Sequence, residues 1–244
     1  MHSDDEQIGR VLSRREILAL AGATGAGIFL APGITRAGDR RPLPACVVRP
    51  AQTEGPYFVD RMLDRSDIRA EPTTGAVSAG VPLDLAVVVS RVGRDSCEPL
   101  ADAMVDIWQC DALGIYSGVH DMANRFNTTG QTFLRGYQVT DRDGVARFTT
   151  IYPGWYEGRT IHIHFKIRVP GTGTTVHDFT SQLYFSDEQS DAVFARAPYR
   201  DNTQRRARNA QDGIYRTGGR ELTLDLQAME AGLRGRFDIG LDLG

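Results

Sequence analysis

One lysine, Lys166, stands among the 28 basic residues of this 244-residue chain, so arginine carries almost all of its positive charge. Those arginines form no basic stripe and the formal net charge is −3, which argues against a nucleic-acid partner. Cysteine is scarce as well. Cys46, Cys97 and Cys110 are the only three, and no two of them sit at the spacing of a thiolate metal site. An odd count leaves at least one thiol unpaired; if a disulfide forms, Cys46 with Cys97 would tie an N-terminal arm to the start of the folded region. Internal repeats and low-complexity tracts are absent. So is any apolar run long enough to span a bilayer, which takes ~18 residues or more.

The most apolar stretch, residues 17–31, is rich in Gly and Ala and follows Ser13-Arg14-Arg15-Glu16-Ile17-Leu18. An arginine pair ahead of a short, mild apolar run reads as an export signal and not as a membrane span. Thr35-Arg36-Ala37 supplies small residues at the outer and inner cleavage positions. Residues 1–37 are therefore expected to be a twin-arginine signal peptide, and residues 38–244 a single mature domain. The destination would be periplasmic, extracellular or associated with the cell wall. That route carries proteins already folded around a cofactor.

The mature chain has enough residues for one substantial core. Residues 38–80 are rich in Pro, Gly and turn formers and read as an arm wrapped on the surface. From residue 81 onward, short β-rich segments alternate with turn signals, which predicts an all-β antiparallel sandwich with long loops and short helices. Strands are expected over 81–91, 103–110, 132–140, 145–151, 160–169, 179–185, 221–227 and 236–243. Asp141-Arg-Asp-Gly144 is read as the turn of a hairpin, and Ser186 as the N-cap of a short helix. Residues 199–218 are read as irregular surface. The loop of about 20 residues after position 110 is long for a compact domain, and such loops tend to be functional.

Chemistry concentrates in Ile161-His-Ile-His-Phe-Lys-Ile-Arg-Val169. Side chains alternate along a strand, so Ile161, Ile163, Phe165, Ile167 and Val169 share the core face. His162 and His164 share the other face, about 7 Å apart by the strand rise, and can chelate one ion. Alone, such a pair is more often an exposed polar face. Two tyrosines raise its weight: Tyr156 six residues upstream across a glycine-containing turn, and Tyr116 just after Gly114. Phenolate oxygens are hard anionic donors and neutral imidazoles suit several first-row metals, so the mixed set points to ferric iron.

These residues carry a resemblance. Trp108-Gln-Cys-Asp-Ala-Leu-Gly-Ile-Tyr116, Pro153-Gly-Trp-Tyr156, Arg159-Thr-Ile-His162-Ile-His164-Phe165 and Gln182-Leu-Tyr-Phe185 resemble the motifs of intradiol ring-cleavage dioxygenases. This is the family of catechol 1,2-dioxygenase and protocatechuate 3,4-dioxygenase. The resemblance implies a non-haem Fe(III) held by Tyr116, Tyr156, His162 and His164, with Tyr156 and His164 axial. It also implies catalytic roles for Tyr156 as a proton-accepting, displaceable ligand, for Arg159 as the cation facing charge on the ring, and for Gln182. Thr53-Glu-Gly-Pro-Tyr57 matches the family's arm, where Tyr57 would approach the pocket. The partners implied are a small aromatic diol and O2, and the product a cis,cis-muconate. The chain differs in lacking the helical dimerisation region of the catechol enzymes and in the short link between Tyr156 and His162. Its oligomeric state is left open.

Two other readings are set beside this one. A secreted β-sandwich binding module would use the same aromatic residues to hold a phenol or sugar without turnover. A zinc or ferrous enzyme would add a carboxylate, such as Asp111 or Asp178, to the histidine pair. Apolar walls for a ring would come from Ile115, Met122 and Phe126.

Overall fold

The computed structural model describes residues 47–94, 96–171 and 176–243. The expected signal peptide and Cys46 lie outside them. Among the described residues nine strands, β1 (Pro82–Val92), β2 (Cys97–Pro99), β3 (Met104–Trp108), β4 (Arg135–Val139), β5 (Val145–Ile151), β6 (His162–Pro170), β7 (Val176–Tyr184), β8 (Asp225–Met229) and β9 (Gly232–Leu241), form two sheets. Among the same residues one helix, α1 (Asp187–Phe194), follows β7, with three short 3-10 turns after it.

The first sheet runs β2-β1-β9-β8, with β5 also paired to β1, and the second runs β4-β3-β6-β7. Their inner faces meet in a core of Leu85, Val87, Val89, Phe148, Phe237 and Ile239 against Val105, Ile107, Ile163, Phe165, Ile167 and Leu183. Phe165 crosses to Phe237 at 5.5 Å between ring centroids. The expected sandwich is present, with one departure from an all-antiparallel plan: β1 and β9 are parallel. Its central place explains the apolar run in β1, where Val87, Val88, Val89 and Ser90 are all buried.

The Asp141–Gly144 turn forms as its residues dictate but does not close a hairpin. Gly144 N–H donates to the Asp141 carbonyl at 2.8 Å, and the Asp141 carboxylate accepts the N–H groups of Asp143 and Val145. However, β4 pairs with β3 and β5 with β1, so the turn passes the chain from one sheet to the other. Gly144 is seated against β1, where an added Cβ would lie 2.3 Å from the Val89 carbonyl. The Val89 N–H donates to the Gly144 carbonyl at 2.8 Å, which joins the turn to β1.

Strand ends shift elsewhere. The strand expected at 221–227 starts at Asp225, because residues Gly219–Leu222 form a 3-10 turn. β9 begins at Gly232, earlier than residue 236, and the three-residue β2 has no sequence signal of its own. Ser186 caps α1 as expected, accepting the Gln189 N–H at 3.1 Å. Cys97 is disulfide-bonded, whereas Cys110 is a free, buried thiol. No helix among the described residues is long and apolar enough to cross a membrane.

The outer face of the second sheet is not left to solvent. Residues 47–68 run across it as the expected arm. Gln52 N–H donates to the Thr180 carbonyl, Glu54 pairs with Lys166, and Asp60 pairs with Arg168 at 2.8 Å. The outward side chains of β6 are His162, His164, Lys166 and Arg168 in turn. The latter two fasten the arm, and the former two lie beneath it.

Candidate metal centre

Two turns and one strand bring the four candidate ligands together. Tyr116 follows β3 in a turn organised by Asp111, whose carboxylate accepts the N–H groups of Leu113 and Ile115, both at 2.9 Å. Gly114 completes that turn at φ +85°, where an added Cβ would sit 2.1 Å from the Trp155 carbonyl. Tyr156 follows β5 in a second turn, packed so tightly on the first that a Cβ on Gly154 would lie 2.4 Å from the Ala112 carbonyl. Both turns are tied to a third segment: Gln204 donates to the Leu113 carbonyl and its own carbonyl accepts the Trp155 indole N–H, each at 2.8 Å.

The donor atoms converge on one point. Tyr116 Oη and Tyr156 Oη each lie 3.3 Å from His162 Nε2, and His164 Nε2 lies 3.0 Å from it. His162 Nδ1 donates to the Thr160 carbonyl at 2.6 Å, which fixes the tautomer and turns the Nε2 lone pair toward the other three atoms. Trp108 stacks on His164 at 5.0 Å and 5° between planes, setting the plane of that ring. Gly55 of the arm lies against its edge, with φ +74° and a Cβ that would meet His164 Cε1 at 3.2 Å.

Burial sets the protonation states. Both imidazoles are held neutral: His162 is pushed down to about 3 by desolvation and then by the Arg159 charge, and His164 well below its ordinary value by the same causes and by His162. Tyr116 and Tyr156 are raised by desolvation, so without a cation both phenols keep their protons. Two neutral imidazoles and two phenols, buried and aimed at one point, are a donor set that fits a trivalent metal ion, whose charge would favour the phenolate forms.

Around this centre lies a second set of groups. Arg159 donates from Nε to Asp212 at 2.9 Å and from Nη2 to Gln182 at 2.6 Å. Gln182 sits opposite His164 in the β6–β7 register, as its place on a polar strand face required. Its amide donates to the Thr53 carbonyl, and its oxygen also accepts from Tyr184. Tyr184, expected as a packing residue, is thus part of the network: its single O–H is shared between Gln52 Oε1 at 2.7 Å and Gln182 Oε1 at 3.1 Å. Tyr57 stacks on Tyr116 at 4.5 Å and donates to Asp121 at 2.8 Å. Arg125 holds Asp121 ionised, well below the usual carboxylate range.

Asp212 had no signal in the sequence. It lies in the stretch read as irregular surface, yet accepts hydrogen bonds from Arg159 Nε and the N–H groups of Thr160, Ile214 and Tyr215. Among the expected wall residues, Phe126 packs beside Tyr116 and Trp108, but Met122 is 78% exposed. Val119 and Phe58 stand in its place. The carboxylate-assisted reading fails. Asp111 is engaged by its own turn, Asp178 lies opposite Arg168, four positions along β6 from His164, and no group of three or more His, Cys, Asp or Glu among the described residues could hold a metal.

Comparison with known proteins places the chain as a whole in a family. The family model described as dioxygenase matches residues 53–227. The protocatechuate 3,4-dioxygenase beta chain of Burkholderia cepacia is 32% identical over 146 residues, 56% of this chain and 59% of that protein. Catechol 1,2-dioxygenase of Candida albicans is 28% identical over 58% of this chain and 49% of that protein. The chain thus spans about half the length of these curated relatives. The solved intradiol ring-cleavage dioxygenase of Tetranychus urticae superposes with a TM-score of 0.68 at 30% identity, covering 81% of this chain and 95% of that one. Members of this family use non-haem Fe(III). With a match across most of its length and the expected ligand types gathered at one point, this chain belongs to the intradiol ring-cleavage dioxygenases.

Proposed function

We propose that this chain is an exported, Fe(III)-dependent enzyme that uses O2 to cleave catechol, or a substituted catechol, to a muconate-type product. The observation that carries the reading is the convergence of Tyr116 Oη, Tyr156 Oη and His164 Nε2 on His162 Nε2, all within 3.3 Å. Ferric iron held by these four residues would supply Lewis acidity and a template for the two oxygens of a catechol.

The chain's own groups have definite tasks. Tyr156 Oη would accept a proton from a substrate hydroxyl, general-base work suited to a phenolate beside a cation. Arg159 presents a fixed positive charge next to Tyr156, where negative charge develops on the ring. Asp212 and Gln182 hold that guanidinium in place, so no reorganisation is needed as the charge appears. Tyr57, Phe58, Val119 and Phe126 line an apolar, aromatic environment suited to a small ring.

Export is supported by the Arg14-Arg15 pair ahead of the apolar run and by the disulfide at Cys97, a bond that persists in oxidising compartments. Mass spectrometry of the exported protein should give an N-terminus near residue 38. The enzymatic reading is tested by visible absorption of the purified chain with metal analysis, before and after anaerobic addition of catechol, followed by oxygen uptake. A broad tyrosinate-to-iron band that shifts with catechol, and stoichiometric oxygen use, are expected. Tyr156→Phe should alter the band and abolish turnover. Tight phenol binding by a colourless protein, unchanged in Tyr156→Phe, would establish a binding module in its place.

A further inference from the structure

The two sheets are finished differently on their outer faces. The arm covers the second sheet, whereas the first presents four neighbouring strands, β5-β1-β9-β8, with polar side chains outward. Two rows of residues cross that face in register. One row is Thr149, Asp84, Arg234 and Gln227, and the next is Arg147, Ala86, Arg236 and Asp225. None of these side chains is buried. Those of β5, β1 and β9 line, with Ser66, an open groove of about 530 Å³.

The charges on this face are only partly answered within the chain. Arg236 is held by Asp238 at 2.6 Å, and Asp84 lies 3.8 Å from Arg234. Arg147 and Asp225, at opposite ends of one row, have no side-chain partner among the described residues. Three strand spacings separate them, ~14 Å, which is too far for them to pair with each other.

A second copy answers both. Stacked sheets commonly align their strands to within about 30°, and a two-fold pair presents the same face from each side. An axis across the strands, whether it follows either row or passes between them, brings an arginine of β9 onto an arginine of the partner. An axis along β1 sets Arg147 against the partner's Arg236, and an axis along β9 opposes each arginine of that strand to itself. An axis along the strands between β1 and β9 does neither, and it overlays all four strands. Arg147 then faces the partner's Asp225 at both ends of the row, and long Arg236 faces small Ala86. Asp84 and Arg234 of the two copies close a ring of four alternating charges.

We propose that this face is a homodimer interface, formed with a second copy of this chain about the axis between β1 and β9. Complementary charge sets partner and register more than affinity, and exposed ion pairs contribute little each. The dimer is therefore a weak one, with a Kd on the order of micromolar. The donor cluster lies beneath the arm on the opposite sheet, so the interface is separate from it and independent of the dioxygenase reading.

Sedimentation equilibrium of the full purified chain, with its metal, tests the interface. Dimer should predominate at ~100 µM in low salt and give way to monomer as salt screens the pairs. Arg147→Glu and Asp225→Arg, both at exposed positions, should each weaken dimerisation at least about tenfold, since each opposes like charges twice per dimer. The combined variant, Arg147→Glu with Asp225→Arg, should restore dimerisation, because the pair is exchanged and not lost. A local disturbance of either strand would give no such rescue. A chain that stays monomeric at ~100 µM in low salt overturns the proposal. So does a dimer that neither single swap weakens, or one whose loss the combined swap fails to repair.

Discussion

At the scale of single residues, the site separates into atoms that would meet the proposed metal ion and atoms that hold those in place. His162 shows both relations: Nε2 faces the other three donors while Nδ1 is bonded to the Thr160 carbonyl. His162→Ala should therefore abolish metal retention, measured as iron per chain after gel filtration. Asp212 belongs to the second group, touching the centre only through Arg159 and the Thr160 amide. Asp212→Ala leaves a buried guanidinium and several amides without their acceptor, and breaking such a pair costs about 3–5 kcal/mol. Asp212→Asn keeps an acceptor, so the fold should survive while kcat falls about ten- to hundredfold, with iron content unchanged. A normal kcat in Asp212→Asn would remove Asp212 from the positioning of Arg159. The convergence of Tyr116, Tyr156, His162 and His164 was legible in the sequence because the four candidates occur together, although each alone has an ordinary structural explanation. Asp212 was not, since an aspartate among arginines and glycines is indistinguishable from solvated loop until the loop is packed.

At the scale of elements, the close approach of the Tyr116 and Tyr156 turns decides the geometry. Glycine is required at position 114 twice over, by φ +85° and by the Trp155 carbonyl 2.1 Å from where a Cβ would be. Gly130 has a similar φ of +89° but open space around it. Gly130→Ala should thus cost about 1 kcal/mol, the strain of a left-handed alanine. Gly114→Ala should cost clearly more and should also push Tyr116 and Tyr156 apart. Denaturant melts of the two variants, with the visible band as a second readout, separate strain from collision. Equal losses would mean that the turns are not held by contact. The β6 alternation, with isoleucines and Phe165 inward and His162, His164, Lys166 and Arg168 outward, is the element that sequence reveals best, because a period of two is a property of any strand. The Asp141–Gly144 turn shows the limit: its residues specify a turn but not which sheet the next strand joins.

At the scale of the whole molecule, the arm converts an outer sheet face into an interior. Glu54, Asp60 and Gln52 fasten it to Lys166, Arg168 and β7, and the histidines end at 2% and 1% exposure. Neutral buried histidines make the metal-free fold acid-labile. Their folded values lie below the unfolded one, so the unfolded chain binds more protons as pH drops. Stability is fully present above about pH 6.5, the unfolded histidine value, and is lost as pH falls toward about 3, where His162 itself takes a proton. Each histidine contributes up to about 1.4 kcal/mol per pH unit within that window. His162→Gln with His164→Gln should flatten the dependence, read from denaturant midpoints between pH 7 and pH 4. A slope unchanged in the double variant would assign the acid sensitivity to other groups.

By itself the sequence determined what is local: the strand alternation that puts two histidines on one face, the turn chemistry at Asp141–Gly144, the Ser186 cap, and the tyrosines and histidines whose donor types favour ferric iron. These follow from backbone geometry and side-chain chemistry within a few residues, which no tertiary contact can rewrite. Only the tertiary structure decided that β4 and β5 part into different sheets, that β1 lies parallel to β9, and that the arm seals the site. It alone joined Arg159 to Asp212, 53 positions away, and Gln182 to Thr53, 129 positions away. Such pairs form because burial leaves a charge or an amide no solvent to bond, and the partner is whichever group the packed chain brings within reach.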